Sequence, residues 1–209
     1  MLFQSCFEII EQVQLKNDGT GNFQLTLNLS KSKTKLNSIM KLETINGHPV
    51  PTQQSISKKI KEIENIVKNT QGITNVNTTI NFENYITVLS CNFINIAQLN
   101  KAIKNVKVNE KATGAALDDN YAYDTKTKIF QRKNNVPLKE KYSSMSKADK
   151  EIFSNAGFTT IYKFESTVVG TTNKDAKLSA SKKAVMVHQQ ALDIITQKKS
   201  IENNINITN

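Results

Sequence analysis

Six side chains stand out by type and setting as material for a nucleophile, a metal site or a proton relay: Cys6, Cys91, His48, His188 and the adjacent Asp118 and Asp119. Such chemistry needs several groups to converge, and spacing is the first evidence of convergence. His48 stands before Pro49 and His188 ends the run AVMVH; neither belongs to an H-E-x-x-H pattern or has a C-x-x-C companion. Asp118 and Asp119 are of a type that binds a cation or activates water, but neighbouring acids in a loop are usually solvated, and a cation site takes several ligands. The turn Asn17-Asp18-Gly19-Thr20-Gly21 lacks the staggered acids and closing Glu of a calcium loop. Gly170-Thr171-Thr172-Asn173-Lys174 has one glycine and no G-x-x-x-x-G-K frame for a phosphate. The residues therefore imply no catalytic group, no metal and no cofactor, and the chain is expected not to be an enzyme. Asn28, Asn77 and Asn206 open N-x-S/T triplets of the kind an Asn-rich chain generates by chance.

The elements that would hold these residues are legible from hydrophobic period. Phe7, Ile9, Val13 and Leu15 alternate with polar residues, with Glu11 interrupting the apolar face once, and Phe23, Leu25, Leu27 and Leu29 resume the alternation after the Asp-Gly turn. This is the signature of a β-hairpin with one buried face. Leu36, Ile39, Met40 and Leu42 fit a short helix over 36–46, broken by Gly47, Pro49 and Pro51. Ile56, Ile60, Ile63 and Val67 form an apolar stripe for core packing on a helix over 57–70 that stops at Gly72. Residues 74–82 and 85–93 read as a second hairpin, with Cys91 as a buried structural thiol. Asn95 and Gln98 resemble a capping box opening a helix to about Val106.

Residues 107–120 have little periodicity and read as a loop. Beyond it come a third hairpin around Asp124-Thr125-Lys126-Thr127, a helix whose start is signalled by Ser146 and Asp149, and strands at 158–166, 176–180, 184–188 and 201–207. Strand runs interleaved with a few amphipathic helices predict an α+β fold: a largely antiparallel sheet built from hairpins, helices packed on one face. The expected organisation is one domain over 6–209, with the best seam at 107–120.

Composition narrows the partners. The chain has 209 residues and a formal net charge of +10, which favours polyanions, whether nucleic acid or acidic lipid headgroups. Its lysines are scattered and Arg132 is the sole arginine. Arginine is the residue of bidentate phosphate and guanine contacts, so its scarcity argues against base reading. Apolar runs such as Tyr85 to Leu89 fall far short of the roughly 20 residues of a membrane-spanning helix.

Cys6 has a distinctive context. Leu2-Phe3-Gln4-Ser5-Cys6 resembles the end of a bacterial lipoprotein signal peptide, with Ser5 as the small residue before the cysteine and Leu2 and Phe3 as the tail of the apolar region. The strand, Asn-Asp-Gly turn and second strand that follow are similar to the opening of envelope lipoproteins of the LppM-like type, and residues 173–207 resemble their closing strands. The resemblance implies that residues 1–5 are the remnant of a signal peptide and that Cys6 carries diacylglycerol on its sulfur. Phe7 in place of Asp after the cysteine implies outer-membrane sorting, with the body facing the periplasm.

The function expected on these grounds is a noncatalytic, lipid-anchored envelope protein that meets the membrane through acylated Cys6 and binds a partner, a lipid or another envelope component. The alternative expectation is a basic cytosolic nucleic-acid-binding protein.

Overall fold

The computed structural model describes residues 7–45, 47–133 and 138–208. Cys6 and the signal-peptide remnant lie outside the described residues.

Strands β1 (Glu8–Leu15) and β2 (Gly21–Asn28) form the predicted hairpin, in register from Glu8 opposite Asn28 to Leu15 opposite Gly21. Asp18 closes the turn: its carboxylate accepts hydrogen bonds from the Thr20 amide and hydroxyl at 2.9 and 2.8 Å, while Gly19 takes φ +89°. That conformation is open to glycine without steric cost.

Helix α1 (Lys33–Ile39) begins and ends earlier than the 36–46 periodicity indicates, and the short strands β3 (Thr44–Ile45) and β4 (His48–Pro49) occupy the end of that segment. Helix α2 (Gln53–Lys68) likewise starts four residues before Ser57, because Thr52 is the true N-cap, its hydroxyl accepting from the Ser55 amide at 3.1 Å. Strands β5 (Ile73–Asn81) and β6 (Ile86–Phe93) form the second hairpin. Helix α3 (Ile96–Asn109) is capped by Asn95, whose side-chain oxygen accepts from the Gln98 amide at 2.9 Å.

After a short 3-10 turn over 114–117, β7 (Tyr121–Asp124) and β8 (Ile129–Arg132) pair as the third hairpin. Helices α4 (Lys139–Ser143) and α5 (Lys147–Phe153) follow; the side chains of Lys141, Ala148, Asp149 and Ile152 lie outside the described set. The chain closes through β9 (Gly157–Phe164), β10 (Val168–Thr171), β11 (Lys177–Leu178), β12 (Ala184–Gln190), α6 (Ala191–Ile195) and β13 (Asn203–Ile207).

The architecture is α+β. A seven-stranded sheet runs β11-β12-β9-β1-β2-β6-β5, and a four-stranded sheet runs β10-β13-β8-β7. Pairing is antiparallel except at β1 and β9, which run parallel from Glu8 beside Gly157 to Leu15 beside Phe164. Helices α2 and α3 pack on the β5 and β6 end of the large sheet. The small sheet meets the β1 and β9 part, where Phe130 lies 5.0 Å from the ring of Tyr162 and 5.7 Å from that of Phe164. These rings, with Val13, Leu15, Val185 and Ile205, are buried and form the core.

Candidate functional site

The two sequence anomalies meet in the interior. Glu11, the one charge on the apolar face of β1, and Arg132, the sole arginine, are 5% and 3% exposed. Arg132 Nε donates to Glu11 Oε1 at 2.8 Å and Nη2 to Oε2 at 3.1 Å, a bidentate pair. The Tyr162 hydroxyl adds a third donor to Oε1 at 3.0 Å, and the Arg132 guanidinium lies 5.2 Å from the centre of the Tyr121 ring. Burial is the largest single influence and opposes the arginine charge, but the Glu11 carboxylate, its hydrogen bonds and the neighbouring Tyr121 and Tyr162 together outweigh it and hold the guanidinium protonated. Burial and then the Glu11 charge push the phenols of Tyr121 and Tyr162 up, so both stay neutral.

This ion pair borders an apolar pocket of about 170 Å³ between the large sheet and helices α2 and α3. The floor is buried: Phe23 from β2, Cys91 from β6, Val67 from α2, and Leu99 and Ala102 from α3. The mouth is formed by half-buried Ile63, Leu89, Ile103 and Val106 and by Leu25, which is 39% exposed. The pocket exists because the α2 stripe is not fully covered: of Ile56, Ile60, Ile63 and Val67 only Val67 is buried.

Glu11, Lys107 and Asn120 supply the polar part of the lining. Lys107 Nζ donates to Asn120 Oδ1 at 2.7 Å. Burial, and then the charge of Arg132, draw the Lys107 ammonium below the ordinary lysine value, against the pull of Glu11, Asp118 and Asp119. A mostly apolar concavity with a few polar groups and a perturbed titratable residue is the usual form of a small-molecule binding site.

The apolar face continues beyond the pocket. Leu25 lies opposite Glu11 in the register and Leu27 opposite Ile9, with Phe158 beside Ile9 on the far side. Leu27 is 38% exposed. Ile9 and Phe158 help to wall a second apolar pocket of about 110 Å³, together with Phe7, Leu138, Phe153 and the α6 residues Ile194 and Ile195.

The remaining candidate residues are dispersed. Cys91 is a free thiol in the pocket floor, and burial pushes its pKa up to about 11, so it is no nucleophile. His48 is exposed on β4, and Asp118 and Asp119 are exposed after the 3-10 turn. His188 lies on the face of the large sheet away from the helices. There its Nδ1 is 2.8 Å from the Thr159 hydroxyl, which donates to Glu8 Oε1 at 2.6 Å. The His188 side chain is 48% exposed. Among the described residues no group of three or more His, Cys, Asp and Glu side chains is placed to hold a metal.

The segment 170–174 is a side-chain clasp. Asn203 Oδ1 accepts from Thr171 Oγ1 at 2.6 Å and from the amides of Thr172 and Asn173 at 3.1 and 3.0 Å, engaging the N–H groups that a phosphate cradle would offer.

Glu11, Arg132 and the pocket are absent from the sequence-based list of candidate residues. The available signal was the interruption at Glu11 together with the uniqueness of Arg132, two features that ask for a partner once burial is assumed.

No family model matches the sequence, and no curated protein matches it. Among solved structures, the NMR structure of the folded domain of LppM from Mycobacterium tuberculosis aligns with a TM-score of 0.44 at 10% identity, over 99% of this chain and 93% of that one.

Proposed function

We propose that this chain is a noncatalytic binding protein of the bacterial envelope, held to the outer membrane on its periplasmic face through lipid on Cys6. The observation that carries the binding role is the apolar pocket between the large sheet and helices α2 and α3, open at Leu25. The sequence Phe3-Gln4-Ser5-Cys6 supports the anchor. Strand β1 begins at Glu8, two residues after Cys6, so an acylated cysteine would hold the body close to the lipid surface. Two acyl chains anchor stably where one binds marginally, at about 0.8 kcal/mol for each buried CH₂. The net charge of +10 adds attraction to anionic headgroups, about 1 kcal/mol for each lysine that reaches the surface.

Burial of the sole arginine against Glu11 weighs against the nucleic-acid alternative, since no guanidinium is left for phosphate or guanine. Metabolic labelling with a radioactive fatty acid tests the anchor: the full-length protein takes up label and Cys6→Ser does not. Label retained by Cys6→Ser refutes attachment at that residue.

A further inference from the structure

We infer that the pocket between the large sheet and helices α2 and α3 takes the hydrocarbon tail of a single-chain anionic amphiphile, with its acidic head at Lys107. The inference rests on the binding role proposed above and is independent of the anchor at Cys6. The size and polarity of the pocket fit a hydrocarbon tail. An engineered apolar cavity of about 150 Å³ stays dry and binds benzene, and this pocket measures about 170 Å³ with an almost wholly aliphatic and aromatic wall. It therefore accepts a slender apolar group and leaves no room for a bulky one.

The charge at the pocket fits an acidic head. Of the charged groups near the pocket, Glu11 is engaged by both arms of the Arg132 fork and by Tyr162, so its charge is already balanced. Lys107 is the remaining lining charge. Among the described residues its hydrogen-bond partner is the neutral Asn120 amide, which occupies one of three ammonium hydrogens. Asp118 and Asp119 also act on Lys107, but both are exposed and line no part of this pocket. A half-buried ammonium, short of its hydration, is compensated by a carboxylate or phosphate arriving with the ligand.

Apolar surface also continues past the pocket. A tail longer than the pocket has an apolar path across exposed Leu27 toward Ile9 and the second pocket. The site thus combines a cationic group with an extensible apolar surface, the two chemistries of a fatty acid or a lysophospholipid.

The test uses purified full-length protein and a dansyl-labelled undecanoic acid whose fluorescence rises in an apolar site, displaced by dodecanoate or by dodecanol. Dodecanoate is expected to displace the probe at about tenfold lower concentration than dodecanol, and lysophosphatidic acid and dodecanoate distinguish a phosphate from a carboxylate head. Lys107→Met is expected to reduce the tenfold preference to about twofold or less while dodecanol binding persists. Ile103→Trp, which narrows the mouth from a half-buried position, is expected to weaken both competitors, with the circular dichroism spectrum unchanged. Equal displacement by acid and alcohol in the wild type, or a preference that survives Lys107→Met, overturns the head-group assignment. Absence of probe binding overturns the tail assignment and leaves the Cys6 labelling result as a separate measurement.

Discussion

Replacing Arg132 by Met would leave Glu11 in a site where it is 5% exposed, with the Tyr162 hydroxyl as the one side chain among the described residues still donating to it. The structure sets the magnitude: two charge-assisted hydrogen bonds, at 2.8 and 3.1 Å, vanish together with the counter-charge. Removing one partner of a buried pair costs about 3–5 kcal/mol, because the other charge stays desolvated and uncompensated. Against a total stability of about 5–15 kcal/mol this is a large fraction. A chain of this size loses about 2–4 °C in Tm per kcal/mol, so the expected fall is about 6–20 °C. Glu11→Leu alone strands the guanidinium and should cost a similar amount. The double variant Glu11→Leu/Arg132→Met removes both charges and should recover most of the loss, since replacing a whole buried pair by apolar residues is often neutral or stabilising. Thermal and urea unfolding followed at 222 nm, assembled as a double-mutant cycle, measure the coupling. Single variants within about 1 kcal/mol of wild type, or costs that simply add in the double variant, would refute this account of the pair.

Other perturbations test separate parts of the structure. With Cys6→Ser leaving Cys91 as the one thiol, a thiol reagent at pH 8 should react only on unfolding, because burial holds the Cys91 pKa at about 11; rapid stoichiometric labelling of the native protein would contradict that. Thr52→Ala removes the hydroxyl that accepts from Ser55 and should lower stability by about 1 kcal/mol, read from urea midpoints, whereas an unchanged midpoint would mean the cap is idle. Asn203→Ala unties Thr171, Thr172 and Asn173 at once; a loss of about 1–3 kcal/mol is expected, with faster amide exchange at Thr172 and Asn173 than in the wild type. The Glu64 carboxylate accepts from Lys61 and from the Thr78 hydroxyl, and these bonds hold its pKa below the ordinary value of 4.5. A group depressed in the folded state stabilises above its unfolded pKa and loses that contribution as pH falls through the folded one. Wild type should therefore lose more stability than Glu64→Gln on acidification below about 4.5, and parallel pH profiles would refute the linkage.

The hairpins and the start of α3 were legible in the sequence because their causes are local. Alternation from Phe7 to Leu15 and from Phe23 to Leu29, with Asp18-Gly19 between, suffices to specify a hairpin. Asn95 and Gln98 signal a helix start in four residues. Boundaries were less legible where two signals compete: Thr52 follows Pro51 inside a run of breakers, so the start of α2 is hidden until its hydrogen bond is seen. Strand β10 and helices α4 and α6 are short, with too few residues to establish a period.

What stands beside each element is a different kind of information. The period of β1 says that residue 11 faces inward; nothing local says that residue 132 will face it across 121 residues of chain. The parallel pairing of β1 with β9 joins Glu8 to Gly157 and is invisible to any window of neighbouring residues. The pocket is more dependent still, since it arises from how α2 and α3 sit on the sheet and leave Ile63, Leu25 and Val106 incompletely covered. By itself the sequence determined the α+β class, the hairpins, the inward faces and the cysteine context. Tertiary structure alone decided the partner of Glu11, the burial of Arg132 and the apolar site, because packing is set by long-range contacts while periodicity records only which side of an element is dry.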